Sequence, residues 1–302
     1  ITYGDPGIGK SEGIGVIAQE LAIKEKREFV NWNKVSKTKK LEIYNNPTKY
    51  FFLADTRLSG YDPSDLKGLA FKGTKIEGTI DYHQTLLIRL VTTEGAMGIF
   101  FLDEITLAAP LVVSACYQIL HDRIIDEEKI SDDVLIVAAA NKAHTRANQH
   151  RLADPVKDRV VEFELNNPSI ETYTKYMIAK RYHPTIIGFL NAQPSCLYLL
   201  DSSKDNKYTT PRGWSRVDAV VKFLGDGSGD EYYKRLYRKV AGNIDEGIST
   251  NYVAFRKLAE EMNVEKIIAN PDLIKTLTKQ DRIYFVVVCL AEKYGTQQIT
   301  FD

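Results

Sequence analysis

The stretch Gly4-Asp5-Pro6-Gly7-Ile8-Gly9-Lys10-Ser11 lies between an apolar start of the chain and a helical pattern. It fits the spacing G-x-x-x-x-G-K-[S/T], in which glycines let successive backbone N–H groups point inward at phosphate oxygens. The helix that follows adds its positive N-terminal end. We therefore predict a phosphate-binding loop. The alternative is a glycine-rich turn with an exposed lysine.

Each polar residue of this loop has a predicted role. The Lys10 ammonium would reach the β- and γ-phosphates of a nucleotide, and the Ser11 hydroxyl would ligate Mg²⁺. The candidate nucleotide-binding residues are the whole loop and the residue after it: Gly4, Asp5, Pro6, Gly7, Ile8, Gly9, Lys10, Ser11 and Glu12.

Apolar runs of strand length alternate with helical patterns over the first half of the chain. Strands that are apolar throughout are typical of a sheet covered on both faces. Their alternation with helices predicts an α/β fold with a parallel sheet. The predicted strands are residues 50–55, 98–103, 134–140 and 160–165, the last alternating as an edge strand does, and the predicted helices are residues 11–26, 84–93 and 110–123.

The second half of the chain has a different pattern. From about residue 170 the apolar spacing is helical, with helices predicted over residues 170–182, 214–224, 231–240 and 252–262. Asn166-Asn-Pro-Ser169 separates the two patterns. We therefore predict a sheet domain over residues 1–168 and a smaller helical domain over residues 169–302.

Two carboxylates end one of the apolar strands, in Ile99-Phe-Phe-Leu-Asp103-Glu104. A parallel sheet presents such residues at its carboxyl edge, where ligands bind in open α/β folds. Asp103 would belong to the Mg²⁺ shell, and Glu104 would orient and help to deprotonate a water for attack on the γ-phosphorus. A solvated turn is the alternative for this acidic pair.

The strand over residues 134–140 ends in Asn141-Lys-Ala-His144. The guanine-reading motif N-K-x-D would need an aspartate where His144 stands, so we do not expect specificity for GTP. We predict instead that Asn141 lies at the tip of a neighbouring strand and donates to the γ-phosphate or to the attacking water. A simple asparagine turn is the alternative.

Several motifs resemble, in their order along the chain, the signature positions of AAA+ ATPases. Residues 4–11 are similar to Walker A, Asp103-Glu104 to Walker B, Asn141 to sensor 1, and Asp158-Arg159 to the arginine-finger position. Segments similar to those of MoxR-type ATPases, especially compact bacterial and phage-encoded members, are Asp55-Thr-Arg-Leu-Ser-Gly-Tyr-Asp-Pro-Ser-Asp-Leu-Lys-Gly68, Leu102-Asp-Glu-Ile-Thr-Leu-Ala-Ala-Pro110 and Thr209-Thr-Pro-Arg-Gly-Trp-Ser215. The resemblance spans roughly residues 1–224.

The resemblance implies a P-loop NTPase fold of the AAA+ type. In that fold a parallel five-stranded sheet is flanked by helices, the phosphate-loop strand lies near its centre, and an all-α lid follows. The resemblance also implies a homo-oligomeric ring, usually a hexamer, with ATP and Mg²⁺ bound between subunits. A protein client is remodelled by such a ring, often with a von Willebrand factor A-type partner.

Two arginines take their roles from the same resemblance. Arg159 would project into the site of the neighbouring subunit, and Arg212 would contact the γ-phosphate from the lid of its own subunit. Arg146 or Arg151 is an alternative finger, and a surface position is the alternative for Arg159 and Arg212 alike.

The chain departs from the family pattern in two places. Thr106-Leu107 stands where family members commonly have Asn-Arg after the Walker B acids. The chain also opens almost at Walker A, with Ile1 rather than Met. We therefore expect the native N-terminus, with the upstream residues that line the adenine pocket, to be missing.

Composition narrows the classes of partner. The 302 residues include 40 Lys+Arg and 40 Asp+Glu, so the net charge of zero provides no overall attraction for nucleic acid. The three cysteines have no metal-ligand spacing, which disfavours a disulfide framework and predicts a reducing, cytoplasmic setting. The longest strongly apolar run, residues 284–291, is far shorter than the ~20 residues of a membrane span.

These observations predict an ATPase that depends on Mg²⁺ and acts on the γ-phosphate anhydride to remodel or chaperone a protein. A nucleotide-gated binding module with slow turnover is one alternative. A motor stimulated by nucleic acid is another, against which the balanced charge counts.

Overall fold

The computed structural model describes residues 1–73, 79–142, 160–200, 208–261, 270, 272 and 286–287. Contacts between residues divide the chain into two compact units. The first comprises Ile1–Asp5 and Gly9–Asn166, and the second comprises Pro6–Ile8 and Asn167–Asp302. From the sequence we predict a domain boundary between residues 168 and 169. The sequence contains no signal that groups Pro6–Ile8 with the helical unit.

The first unit is an α/β unit built on one parallel sheet. Six strands pair in the order β10-β1-β9-β6-β3-β2, and every pairing is parallel. The strands are β1 (Thr2–Gly4), β2 (Glu28–Asn31), β3 (Tyr50–Arg57), β6 (Met97–Asp103), β9 (Val134–Asn141) and β10 (Phe163–Leu165). The predicted α/β class with a parallel sheet is therefore confirmed, and β10 is an edge strand as its alternation predicts.

Two details of the predicted sheet are wrong. The sheet has six strands rather than five, because β2 adds an edge strand beside β3. This strand has four residues, of which Val30 alone is buried, so it carries almost no apolar signal. The phosphate-loop strand β1 is second from the opposite edge and not near the centre.

Helices cover both faces of the sheet. On one face, Ala18 and Ala22 of α1 (Lys10–Lys24) pack with Phe51, Leu53 and Phe101. On the other face lie α2 (Lys37–Asn45), α4 (Leu86–Thr92) and α5 (Pro110–Asp122), whose buried residues join a larger core. This double coverage explains why β3 and β6 are apolar along almost their whole length.

Smaller elements connect these layers. Helix α3 (Pro63–Lys67) precedes an antiparallel hairpin of β4 (Leu69–Lys72) and β5 (Ile80–His83). A second hairpin pairs β7 (Ile124–Ile125) with β8 (Glu128–Lys129). The sequence did not predict either hairpin, because strands of two to four residues are too short to show a periodic pattern.

The second unit is helical over its described residues. Its helices are α6 (Ile170–Ala179), α7 (Pro184–Ala192), α8 (Pro211–Leu224), α9 (Asp230–Ala241) and α10 (Glu246–Glu261). The fully buried rings of Phe189, Trp214 and Tyr252 form the centre of its core, with centroids 5.5–5.7 Å apart. Trp214 Nε1 donates to Cys196 O at 2.9 Å, which satisfies its buried donor.

Among the described helices, none is both long enough and apolar enough to cross a lipid bilayer.

Candidate functional site

The glycine-rich loop leads from β1 into α1 at the carboxyl edge of the sheet. Gly7 has φ +76° and Gly9 has φ +98°, in the left-handed region that residues with a Cβ rarely adopt. Nothing lies within 4 Å of a Cβ built on Gly9, so backbone conformation rather than space requires glycine there. Gly9 is also the N-cap of α1, without a capping side chain. The backbone therefore leaves the first turn of α1 open to an anion.

Lys10 lies against the end of a neighbouring strand. Its Nζ donates to Gly4 O at 2.8 Å, to Asp5 O at 3.0 Å and to Asn141 Oδ1 at 2.8 Å. Gly4 and Asn141 are register partners at the ends of β1 and β9. The sheet thus brings together two predicted site residues that are 131 positions apart in the sequence.

Ser11 and Asp103 form a second pair at the same edge. Ser11 Oγ donates to Asp103 Oδ2 at 3.0 Å, and Asp103 Oδ1 accepts from the backbone N–H of Glu104 at 2.9 Å. Asp103 is 7% exposed, so this contact links a buried carboxylate to the start of α1.

The donor set of this pair fits Mg²⁺. Mg²⁺ prefers hard oxygen ligands and is commonly held by one or two protein oxygens, with water and substrate phosphate completing the shell. Ser11 supplies a hydroxyl oxygen and Asp103 a carboxylate oxygen at contact distance. Within the described part of the chain, no group of three or more His, Cys, Asp or Glu side chains could hold a metal ion by itself. A metal here would therefore need substrate and water to complete its coordination.

Glu104 follows β6 in a strained conformation. Its φ is +58°, which is uncommon for a residue with a Cβ and is found at functional sites. Ser59 Oγ donates to Glu104 Oε2 at 2.8 Å and holds the carboxylate. The sequence reasoning did not single out Ser59 as a site residue. It lies in the quoted segment of residues 55–68, but no local pattern indicates that it contacts Glu104.

A further carboxyl group lies close to this acidic pair. Burial raises the pKa of Asp55, the negative charges of Asp103 and Glu104 raise it further, and Arg57 opposes them. Arg57 and Asp103 are register partners on β3 and β6. The end of β3 therefore adds charge to the same edge, which the sequence reasoning also missed.

The arginine predictions have different outcomes. Arg159 lies outside the described residues, as do its alternatives Arg146 and Arg151. Arg212 is the second residue of α8 in the helical unit, where its backbone N–H donates to Gly7 O at 3.1 Å. A Cβ built on Gly7 would lie 2.7 Å from Thr210 Oγ1, so this close approach also requires glycine.

His83, His121 and Cys116 lie at positions that suggest a structural role rather than a catalytic one. His83 stacks on Phe71, and His121 contacts its neighbour Asp122. Cys116 is buried, which raises the pKa of its thiol to about 12 and leaves it protonated at neutral pH. His144 and His150 lie outside the described residues.

The fold and the site together define a class of protein. A parallel sheet carries a glycine-rich loop between β1 and α1, and lysine, serine, asparagine and an acidic pair meet at its carboxyl edge. This is the architecture of a P-loop NTPase fold, accompanied here by a helical unit.

Comparisons with known proteins add little to this assignment. No family model and no curated protein matches the chain. Among solved structures, the chain is similar to a protein from Cytophaga hutchinsonii named "putative ATPase". The two are 12% identical with a TM-score of 0.35, over 81% of this chain and 76% of the other. A likeness at this TM-score does not bear on what the present chain does.

Proposed function

We propose that this protein binds ATP with Mg²⁺ and hydrolyses its γ-phosphate anhydride. One observation carries the proposal. Lys10 contacts Asn141 at 2.8 Å, and Ser11 contacts Asp103 at 3.0 Å, at one edge of a single parallel sheet. A phosphate-binding lysine, a metal-binding hydroxyl and two acids are the parts that phosphoryl transfer requires.

Each of these side chains has a task in the proposed reaction. The Lys10 ammonium holds the non-bridging oxygens of the phosphates, and the backbone N–H groups of the loop hold the others. Ser11 and Asp103 would hold Mg²⁺, which supplies positive charge against the phosphate oxygens. Glu104 accepts a proton from the water that attacks the γ-phosphorus.

Asn141 completes the site from the neighbouring strand. Its Oδ1 accepts from Lys10, so the amide faces the ammonium with its acceptor side. The donor side of the amide is Nδ2, which suits contact with a γ-phosphate oxygen or the attacking water. Asn141 thereby links the position of Lys10 to the position of the reacting groups.

The finer features of the proposal come from the sequence resemblance. They comprise a MoxR-type ATPase in the cytoplasm, a homo-oligomeric ring with six subunits, and remodelling of a protein client with a von Willebrand factor A-type partner. Arg159 would complete the site of the neighbouring subunit, and Arg212 would contact the γ-phosphate of its own. Such an arginine accounts for about 10³–10⁵ in the rate of comparable enzymes.

A single substitution tests the proposed chemistry. Glu104→Gln removes the proton acceptor but keeps the size of the side chain. Phosphate release should fall about 10²–10⁴-fold, the usual contribution of a general base, while ATP binding is retained. The measurements are steady-state phosphate release and the binding of a fluorescent ATP analogue. Glu94→Gln, at an exposed position of the same unit, is the matched control and should match wild type in both.

Two outcomes would contradict the proposal in different ways. Equal phosphate release by Glu104→Gln and wild type would favour a nucleotide-gated binding module over an ATPase. Steep, salt-sensitive stimulation by DNA or RNA would favour a nucleic-acid motor.

A further inference from the structure

The first unit contains a cleft at the β2 side of its sheet, which we call the Asp55 cleft. Its volume is about 490 Å³, within the range of small-molecule sites. Leu66, Ile88 and Phe100 line it and belong to the core on the sheet face opposite α1. Neither Lys10 nor Asp103 lines the cleft, which approaches the proposed nucleotide site only at Asp55.

The walls of the cleft are largely apolar. Trp32, Leu41 and Leu86 contribute an indole ring and two aliphatic side chains. Leu41 is 51% exposed, so it lies where a ligand could enter from solvent. A ligand of matching chemistry therefore has an apolar body.

Charges of both signs also line the cleft. Lys37 and Lys40 come from the first turn of α2, with the Lys40 ammonium 5.1 Å from the centroid of the Trp32 ring. Asp55 and Asp65 face the same space. Two positive and two negative side chains favour a ligand that carries both signs over a simple anion or cation.

Asp55 is the polar group in the cleft with the clearest need for a partner. Its Oδ1 is buried and has no hydrogen-bond partner within the described part of the chain. By contrast, Asp65 Oδ2 already accepts from the backbone N–H of Asp62 at 2.9 Å. A buried acceptor without a donor is costly. A cationic donor in the cleft would stabilise the ionised carboxylate.

The backbone of Asp55 is held rigidly by a neighbouring side chain. Asn33 Nδ2 donates to Asp55 O at 2.7 Å, and Asp55 N–H donates to Asn33 Oδ1 at 2.8 Å. Asn33 also lines the cleft. This double contact fixes the backbone from which the carboxylate projects, which helps to preorganise the cleft for a ligand.

We propose that the Asp55 cleft binds a small amphipathic zwitterion, of the chemical class of a free α-amino acid with an apolar side chain. The ligand ammonium pairs with Asp55, its carboxylate with Lys37 and Lys40, and its side chain packs against Trp32 and Leu41. This binding site is additional to the nucleotide site and does not depend on ATP hydrolysis.

The two tryptophans of the chain provide a direct test. Trp32 lines the cleft, whereas Trp214 is fully buried in the helical unit. L-phenylalanine and L-leucine, each added up to about 10 mM, are titrated into the full chain while the two indole N–H signals are followed by NMR. The Trp32 signal should shift and saturate, and the Trp214 signal should not move.

Variants and modified probes identify the contacts. Leu41→Tyr fills the mouth of the cleft and should abolish the shift, while ATP binding stays as in wild type. Asp55→Asn should weaken binding of L-phenylalanine about tenfold. N-acetyl-L-phenylalanine, which lacks the ammonium charge, and L-phenylalaninamide, which lacks the carboxylate charge, should each bind to wild type about tenfold more weakly than L-phenylalanine. Lys34→Ala, at an exposed position outside the cleft, is the control and should bind as wild type.

Three results would overturn the inference. They are no shift of the Trp32 signal with either amino acid, an undiminished shift in Leu41→Tyr, and equal affinity for L-phenylalanine and its N-acetyl form. ATP binding is measured on the same samples, so failure here is distinguishable from failure of the proposed ATPase.

Discussion

Polar side chains are used in opposite ways in the two units. In the first unit, Lys10, Ser11, Asp103, Glu104 and Asn141 gather where strands end, and we call this group the nucleotide edge. In the second unit, the Arg256 network consists of Arg256 with His183, Thr185, Asp226 and Tyr232. Both groups are held by hydrogen bonds between residues far apart in the sequence.

The Arg256 guanidinium is buried and has hydrogen-bond partners, whereas the Asp226 carboxylate at the edge of the network is exposed. The Arg256 guanidinium is 6% exposed and donates to Thr185 Oγ1 at 3.3 Å, Asp226 Oδ1 at 3.0 Å and Tyr232 OH at 3.0 Å. Arg256 lies in the regular helix α10. A buried charge is tolerated only when its donors are matched, and these contacts supply the partners.

The nucleotide edge has the opposite character. Its bonds lie at strand ends beside backbone in the left-handed region, at Gly9 and Glu104. For Glu104, which has a Cβ, this conformation costs about 1–3 kcal/mol and persists where the surroundings impose it, whereas Gly9 adopts it without that cost. The comparison indicates that the first group is arranged for a ligand and the second for the stability of a helical core. The two groups should therefore respond differently to substitution.

The largest expected effect is at the nucleotide edge. Lys10→Ala removes the ammonium and should lower phosphate release about 10²–10³-fold, the usual cost of deleting one stabilising donor. ATP binding should weaken with it. The free energy of unfolding should also fall, by about 1–3 kcal/mol, because the partly buried acceptors Gly4 O, Asp5 O and Asn141 Oδ1 lose this donor. Phosphate release, binding of a fluorescent ATP analogue and urea unfolding measure the three quantities.

A lysine at the other end of the same helix provides the control. Lys24→Ala, exposed in the last turn of α1, should behave as wild type in all three measurements. Normal ATP binding by Lys10→Ala would contradict the assignment of the loop.

The next effect is on stability alone. Arg256→Met keeps the apolar length of the side chain but removes its donors, so Thr185 and Tyr232 each lose a charged partner. The helical unit should lose about 2–3 kcal/mol of its free energy of unfolding. Trp214 fluorescence in a Trp32→Phe background reports urea unfolding of that unit. Arg235→Met, exposed on α9, should leave the midpoint unchanged. An unchanged midpoint in Arg256→Met would show that the network does not stabilise the core.

The smallest effect is a pH dependence of the same unit. Burial, aided by the charge of Arg256, lowers the pKa of His183 to about 4 from its ordinary 6.5, although Asp226 and Asp218 oppose the shift. Below pH 6.5 the unfolded chain therefore binds a proton that the folded chain does not. The contribution of neutral His183 to the free energy of unfolding is therefore fully present above pH 6.5, and it is lost as the pH falls toward 4.

The size of this effect follows from linkage. Between pH 7 and pH 5 the contribution of His183 amounts to about 2 kcal/mol. Over this pH interval, the free energy of unfolding of wild type should fall by about 2 kcal/mol more than that of His183→Gln. Trp214 fluorescence follows the unfolding. His121→Gln, at an exposed histidine of the first unit, should follow the wild-type curve. Parallel curves for wild type and His183→Gln would exclude the buried neutral histidine as the cause.

Elements with a strong local pattern were predictable from the sequence. The apolar strands β3, β6 and β9 and the helices α1, α5 and α9 lie within a few residues of their predicted positions. Elements with a weak pattern were not. Helix α2 begins within the basic run of residues 34–40, and Ile43 is its single buried residue, so its apolar signal is weak. Helix α7 starts at Pro184 and is apolar almost all round, so its amphipathic signal is low.

The candidate site was predictable to a similar degree. Lys10, Ser11, Asp103 and Asn141 could be selected because phosphate and metal binding require those residue types next to strand ends. Ser59, Asp55 and the Asp55 cleft could not, because their roles depend on which strands and loops are neighbours.

The sequence alone determined the α/β pattern, the glycine-rich loop and the polar residues at the ends of strands. Hydrophobic periodicity and backbone freedom at glycine are local properties, so they can be interpreted from neighbouring residues. Tertiary structure alone decided that β9 pairs with β1, which places Asn141 against Lys10, and that Arg57 and Ser59 meet Asp103 and Glu104. These contacts depend on strand order and register, which result from packing of the whole unit.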